Sequence, residues 1–130
     1  MARILDKYYE ADDVSVASGT PLSPGEKSRD IVVPNEEIWE ITAFGGSSDF
    51  DCAEVILLYS EDGTNFIHPY DDQASNNRVR KLHMKAGTPG EIPLLLKIIG
   101  DGTKKIRLLA RNYNTSETIE VVLWIRGNLF

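Results

Sequence analysis

The sequence predicts an all-β protein, an antiparallel β-sandwich of about eight or nine strands with an irregular N-terminal arm. Three observations carry this. Short apolar runs alternate with period two. Gly, Pro, Asn and Asp clusters separate them at roughly ten-residue spacing. Finally, no stretch carries a sustained helical stripe.

The 130 residues suit one domain, and a chain of that length buries enough surface to hold a core without covalent staples. Segment 1–27 reads as the arm plus a first strand, and 28–130 as the sandwich. Net charge is −6, which argues against a phosphate-backbone binder. No apolar run reaches the ~20 residues that cross a bilayer. We therefore expect neither nucleic acid nor membrane as a partner. Cys52 is the only cysteine, so an internal disulfide and a four-thiolate zinc site are excluded. A buried thiol is its simplest reading.

The elements follow in order. In "ILDKYYEA" the residues Ile4, Leu5, Tyr8 and Tyr9 could share a helical face or form an extended arm. "DVSVAS" places Val14 and Val16 on one side of a first strand. "GTPLSPGEKS" reads as a loop. "RDIVVP" is a short strand stopped by Pro34. "EEIWEITAF" sets Trp39, Ile41 and Ala43 on one face, and Gly45, Gly46, Ser47 and Ser48 are expected to break it. "CAEVILLYS" is almost continuously apolar, so both its faces should be covered. "EDGTN" is an Asp-Gly turn, with "NFIHPY" as a brief return strand. "RVRKLHMK" follows as a strand and "AGTPGEIP" as a breaker. "LLLKIIGDGTKKIRLLARN" reads as a hairpin around a second Asp-Gly turn, with Ile106, Leu108 and Ala110 opposite Arg107, Leu109 and Arg111. The last strand is "ETIEVVLWIRGNLF". Its residues Ile119, Val121, Leu123 and Ile125 form one face, and Glu120, Val122, Trp124 and Arg126 the other.

No motif for catalysis stands out. The acid clusters Asp49/Asp51, Glu61/Asp62 and Asp71/Asp72 lack calcium-loop spacing and read as turn acids. "GDGTKK" joins two strands and does not open a helix, so it is no phosphate loop. His68 and His83 lack metal-ligand spacing. We expect no enzyme activity, no metal and no cofactor. The aromatics are more informative. Trp39 and Tyr59 read as core. Trp124 beside Val122 on the outer face reads as an interface hot spot, with cover from the other sheet or the arm as the alternative. Val122 and Trp124 are the first interface candidates. Ile4, Leu5, Tyr8 and Tyr9 are the second. Arg107 and Arg111 face outward and could pair with acidic groups.

The run "VPNEEIWEITAF…AEVILLYSEDGTNF…KIIGDGTKKIRLLARNYN…IEVVLWIRG", residues 31–127, resembles small jelly-roll-like β-sandwich proteins of tailed-bacteriophage particles. A Trp-containing strand, a "Y-S-x-D-G" hairpin, a "G-x-G-x-K-K-I-R-L" hairpin and a final strand ending near Gly carry the likeness. The resemblance implies a head decoration or cement protein, made in the host cytoplasm and carried in the virion. Its partners would be the major capsid protein and other copies of itself, with a trimer favoured. Neck, tail and baseplate proteins use related sandwiches. "YSEDGTNF" is also similar to discoidin-type and other carbohydrate-binding sandwiches, which makes a host-recognition module the alternative. The long N-terminal segment departs from the pattern, and an arm reaching onto a neighbour would explain it.

Overall fold

The computed structural model describes residues 3–5, 12–51, 53–69 and 81–129. Among them are nine strands: β1 (Arg3–Leu5), β2 (Asp12–Val16), β3 (Gly25–Val32), β4 (Ile38–Ser48), β5 (Ala53–Ser60), β6 (Lys81–Met84), β7 (Gly90–Ile99), β8 (Lys105–Asn112) and β9 (Ile119–Leu129). They form two antiparallel sheets. One runs β1–β9–β4–β7, with β2 also on β9. The other runs β3–β8–β5–β6. No helix among the described residues is long and apolar enough to cross a membrane.

The pairing has one underlying plan. β2 pairs with β9, β3 with β8, β4 with β7 and β5 with β6. Those four pairs are successive rungs of one long antiparallel ribbon, whose tip lies between β5 and β6. The ribbon then rolls up so that β4 also meets β9 and β5 meets β8. The outcome is a jelly roll, the architecture that the resemblance implies.

Alternation fills the space between the sheets. Ile119, Val121, Leu123 and Ile125 are fully buried, and so are Ile106, Leu108 and Ala110 opposite them. Val14 and Val16 join this core from β2. β5 is buried on both faces along nearly its whole length, and it lies between β8 and β6 within its sheet.

Four local expectations are corrected. First, β7 and β8 do not form a hairpin, since they belong to different sheets. Asp101 does cap the turn, accepting the Thr103 and Lys104 N–H groups (2.8 and 3.0 Å), and Gly102 takes a positive φ of 83°. That turn carries the chain from one sheet to the other. Second, the Gly45–Ser48 run does not break β4, which continues to Ser48. A Cβ on Gly46 would lie 2.7 Å from Val122 O and 3.0 Å from Met84 Sδ. These glycines permit close packing inside a strand. Third, a register shift between Ile41 and Ala43 turns Ala43 outward beside Arg126 and sends Phe44 into the core, as a bulge does. Fourth, β3 starts at Gly25 and β7 at Gly90, inside segments expected to be loop and breaker. Among the described residues "NFIHPY" supplies one isolated bridge, Tyr59 with Ile67.

The acids behave as turn and loop acceptors. Asp62 accepts the N–H groups of Thr64 and Asn65, each at 2.8 Å. Asp51 accepts that of Ala86 (2.7 Å) and Asp49 that of Glu120 (3.0 Å). Asp71, Asp72 and Cys52 lie outside the described residues.

The described parts of the N-terminal segment belong to the sandwich. Arg3–Leu5 pair with Leu129–Gly127, and Asp12–Val16 with Leu123–Ile119. β1 and β2 thus run antiparallel along one flank of β9. Ile4 and Leu5 lie in β1, whose backbone pairs with β9 of the same chain. Tyr8 and Tyr9 lie outside the described residues.

Candidate functional site

The two outer faces of the sandwich differ in chemistry. On the β3–β8–β5–β6 sheet the register lines up Glu26, Arg111, Glu54 and His83 in one row across all four strands. Arg111 Nε donates to Glu26 (2.7 Å) and Nη1 to Glu54 (3.4 Å). The Tyr113 hydroxyl donates to the same Glu54 oxygen (3.2 Å). His83 Nδ1 lies 3.5 Å from the other oxygen of Glu54. Glu54 is only 2 % exposed, and a carboxylate so deep requires such partners. Burial, then the nearby Glu54 charge, raises the Tyr113 pKa. That keeps its hydroxyl protonated as the donor.

A second row holds Asp30 and Arg107. Arg107 grips Asp30 with two bonds of 2.7 and 2.9 Å, and its guanidinium sits 3.8 Å from the Phe66 ring centroid. The Arg107 hydrogen bond holds the Asp30 carboxyl below its usual range. Both arginines singled out from the sequence therefore face outward and pair with cross-strand acids of the same sheet. A cavity of about 370 Å³ opens at the Glu26–Arg111 end, walled by Pro21, Leu22 and Pro24.

The β1/β2–β9–β4–β7 face is organised around Trp124. The register places Trp124, Gly45 and Glu91 in one row. The indole crosses the vacant side-chain position of Gly45 to donate from Nε1 to Glu91 (2.9 Å), and Arg126 reaches the same oxygen (3.2 Å). Trp124 is 6 % exposed. The expectation that it projects as an interface hot spot is corrected: it is on the outer face, but it packs into its own sheet. Val122 beside it is half-buried.

The exposed apolar surface lies one strand further out. Leu95 and Ile99 are 67 % and 62 % exposed on β7, the edge of that sheet. They alternate with the inward-facing Leu94, Leu96 and Ile98. Exposed Lys97 lies between them on the same face, and half-buried Ile38 is the partner of Ile99 on β4. Sequence reasoning missed this stripe because "LLLKII" offers apolar residues to both faces. The edge position of the strand is what leaves one face uncovered.

Among the described residues no three His, Cys, Asp or Glu side chains converge as a metal site would require. Compared with models of known protein families and with curated protein sequences, the chain gives no match.

Proposed function

We propose that this is a non-enzymatic structural protein of a virus particle. In this reading it decorates the head of a tailed bacteriophage and stabilises it by binding major capsid subunits and, as a trimer, other copies of itself. The observation that carries the reading is the Leu95–Ile99 stripe. Single exposed aliphatics are ordinary, and Leu22, Ile67 and Val32 stand singly. Two large ones on one face of an edge strand form a patch suited to a partner. Burying each against a protein contributes about 1.5–3 kcal/mol before association costs. Repetition over a lattice then raises the effective affinity. Lys97 between them discourages indiscriminate edge pairing and favours a partner with an acid opposite. The choice of a phage head rests on the resemblance of residues 31–127.

The test is sedimentation of purified protein with heads and with tails of the phage that encodes it, together with its mass in solution. The proposal expects pelleting with heads and a trimeric mass. Pelleting with tails would overturn the head assignment. A monomer that stays in the supernatant with both would overturn the attachment reading.

A further inference from the structure

The loop between β2 and β3 contributes no strand, yet it is tightly pinned. A Cβ on Gly19 would lie 2.3 Å from the Gly25 nitrogen, and one on Gly25 would lie 1.8 Å from Ala17 O, so the neck of the loop is closed. At its tip Thr20 and Ser23 exchange backbone bonds of 2.9 and 3.1 Å, and Pro21 fixes one φ of the turn between them. Leu22 stands there 99 % exposed. The turn between β8 and β9 is locked to the same loop. Gly19 N–H donates to Asn114 O (3.1 Å). The amide nitrogen of buried Asn112 donates to Val16 O and Glu117 O (3.0 and 2.9 Å), and Asn114 Oδ1 accepts the Glu117 N–H (3.0 Å). One rigid end of the sandwich thus presents an aliphatic knob, Leu22, and an exposed acid, Glu117.

We propose that this end seats on the Leu95–Ile99 stripe of a second copy, with Leu22 among the stripe's aliphatic side chains and Glu117 against Lys97. The two surfaces match in kind. The stripe sets exposed Lys97 between Leu95 and Ile99, with Ile38 beside Ile99. The rigid end carries the complement, an aliphatic group to cover the apolar part and a carboxylate to meet the ammonium. Within one molecule the two lie apart. Gly90 pairs with Gly46, close to the Ser48–Val121 and Val16–Ile119 pairs, so β7 starts at the loop end and runs away from it. β7 has 10 residues, and at about 3.3 Å for each the strand carries Ile99 roughly 30 Å further on. β2 and β7 also border opposite sides of the sheet. Each copy therefore offers its knob to one neighbour and its stripe to another. Such a heterologous contact closes into a ring when the rotation between copies permits. The pinned neck leaves little ordering to be done on docking. The inference rests on the attachment reading in taking the stripe as an interface and three as the copy number, while the choice of Leu22 and Glu117 rests on the geometry of the two turns.

The test is sedimentation equilibrium of the whole chain without phage heads. The parent should reach a trimeric mass. Leu22→Asp, and separately Leu95→Lys with Ile99→Lys, should each weaken association about tenfold or more and leave the melting temperature unchanged. Mixed in equal amounts, these two variants should form a heterodimer and nothing larger, because one knob and one stripe remain intact between them. Lys97→Glu and Glu117→Lys should each weaken association, and the two changes in one chain should recover it. A parent that stays monomeric would overturn the contact, and pelleting of that monomer with heads would leave the attachment reading standing. Association undiminished by Leu22→Asp, or a mixture without heterodimer, would equally overturn the contact.

Discussion

The indole of Trp124 occupies the space that a side chain at Gly45 would take. A Cβ at position 45 would come within 2.8 Å of the Trp124 Nε1 and 2.4 Å of Gly90 O. Gly45→Ala must therefore push apart both the ring and the β4–β7 backbone. We expect a loss of about 1–3 kcal/mol, read from urea unfolding. Trp124→Ala should cost about 3–5 kcal/mol in the isolated protein. Trp124 thus belongs to folding stability, and an unchanged unfolding midpoint in either variant would contradict this packing.

Glu54 and Arg111 form the second test. Arg111→Met leaves the deeply buried carboxylate without the guanidinium 3.4 Å away. The cost should be about 3 kcal/mol, at the lower end for breaking a buried pair, since the Arg111 side chain retains 27 % exposure. Glu54→Gln in the same chain removes the stranded charge and should restore most of the loss. A double-mutant cycle by chemical denaturation measures this. Simple additivity of the two changes would argue against the coupling.

The pH dependence has two limits. Hydrogen bonds from Asn65 and Thr64 to Asp62, from Thr103 and Lys104 to Asp101, and from Arg107 to Asp30 hold these carboxyls below their usual range. A depressed folded pKa adds stability above the unfolded value of about 3.9, and that stability disappears as pH falls through the folded value. Burial, then the Glu61 charge, pushes Tyr59 up to about 12. Its contribution is complete below the unfolded value of about 10 and fades as pH rises towards 12. Melting temperature should stay level between about pH 5 and 9 and fall on both sides. Tyr59→Phe should remove part of the alkaline fall, and Asp62→Ala should differ from the parent less at pH 3 than at pH 7.

The faces of β8 and β9 are legible in the sequence because period-two alternation needs no knowledge of partners. The capped turns at Asp62 and Asp101 are legible for the same reason: Asp followed by Gly is local chemistry. What local chemistry leaves open is which strands those turns bring together. Asp101–Gly102 would serve a hairpin or a passage between sheets, and only the rolled ribbon selects the second. The bulge near Thr42 reverses the roles of Ala43 and Phe44, which alternation read from Trp39 onward misses. Gly45 and Gly46 look like a break until Trp124 and Met84 are placed against them. The Glu26–Arg111–Glu54–His83 row was half visible as outward arginines; its acids could be matched only through register. The Leu95–Ile99 stripe depends on β7 being an edge, which is a property of strand order and has no local signature.

The β7 stripe carries the attachment reading, and one paired experiment addresses it most directly. Leu95→Lys with Ile99→Lys changes two exposed side chains, so the melting temperature should hold. Binding of the double variant to phage heads, measured by co-sedimentation against the parent protein, should fall at least about tenfold, since about 1.4 kcal/mol already changes an equilibrium tenfold. Undiminished binding by a fully folded double variant would contradict the account.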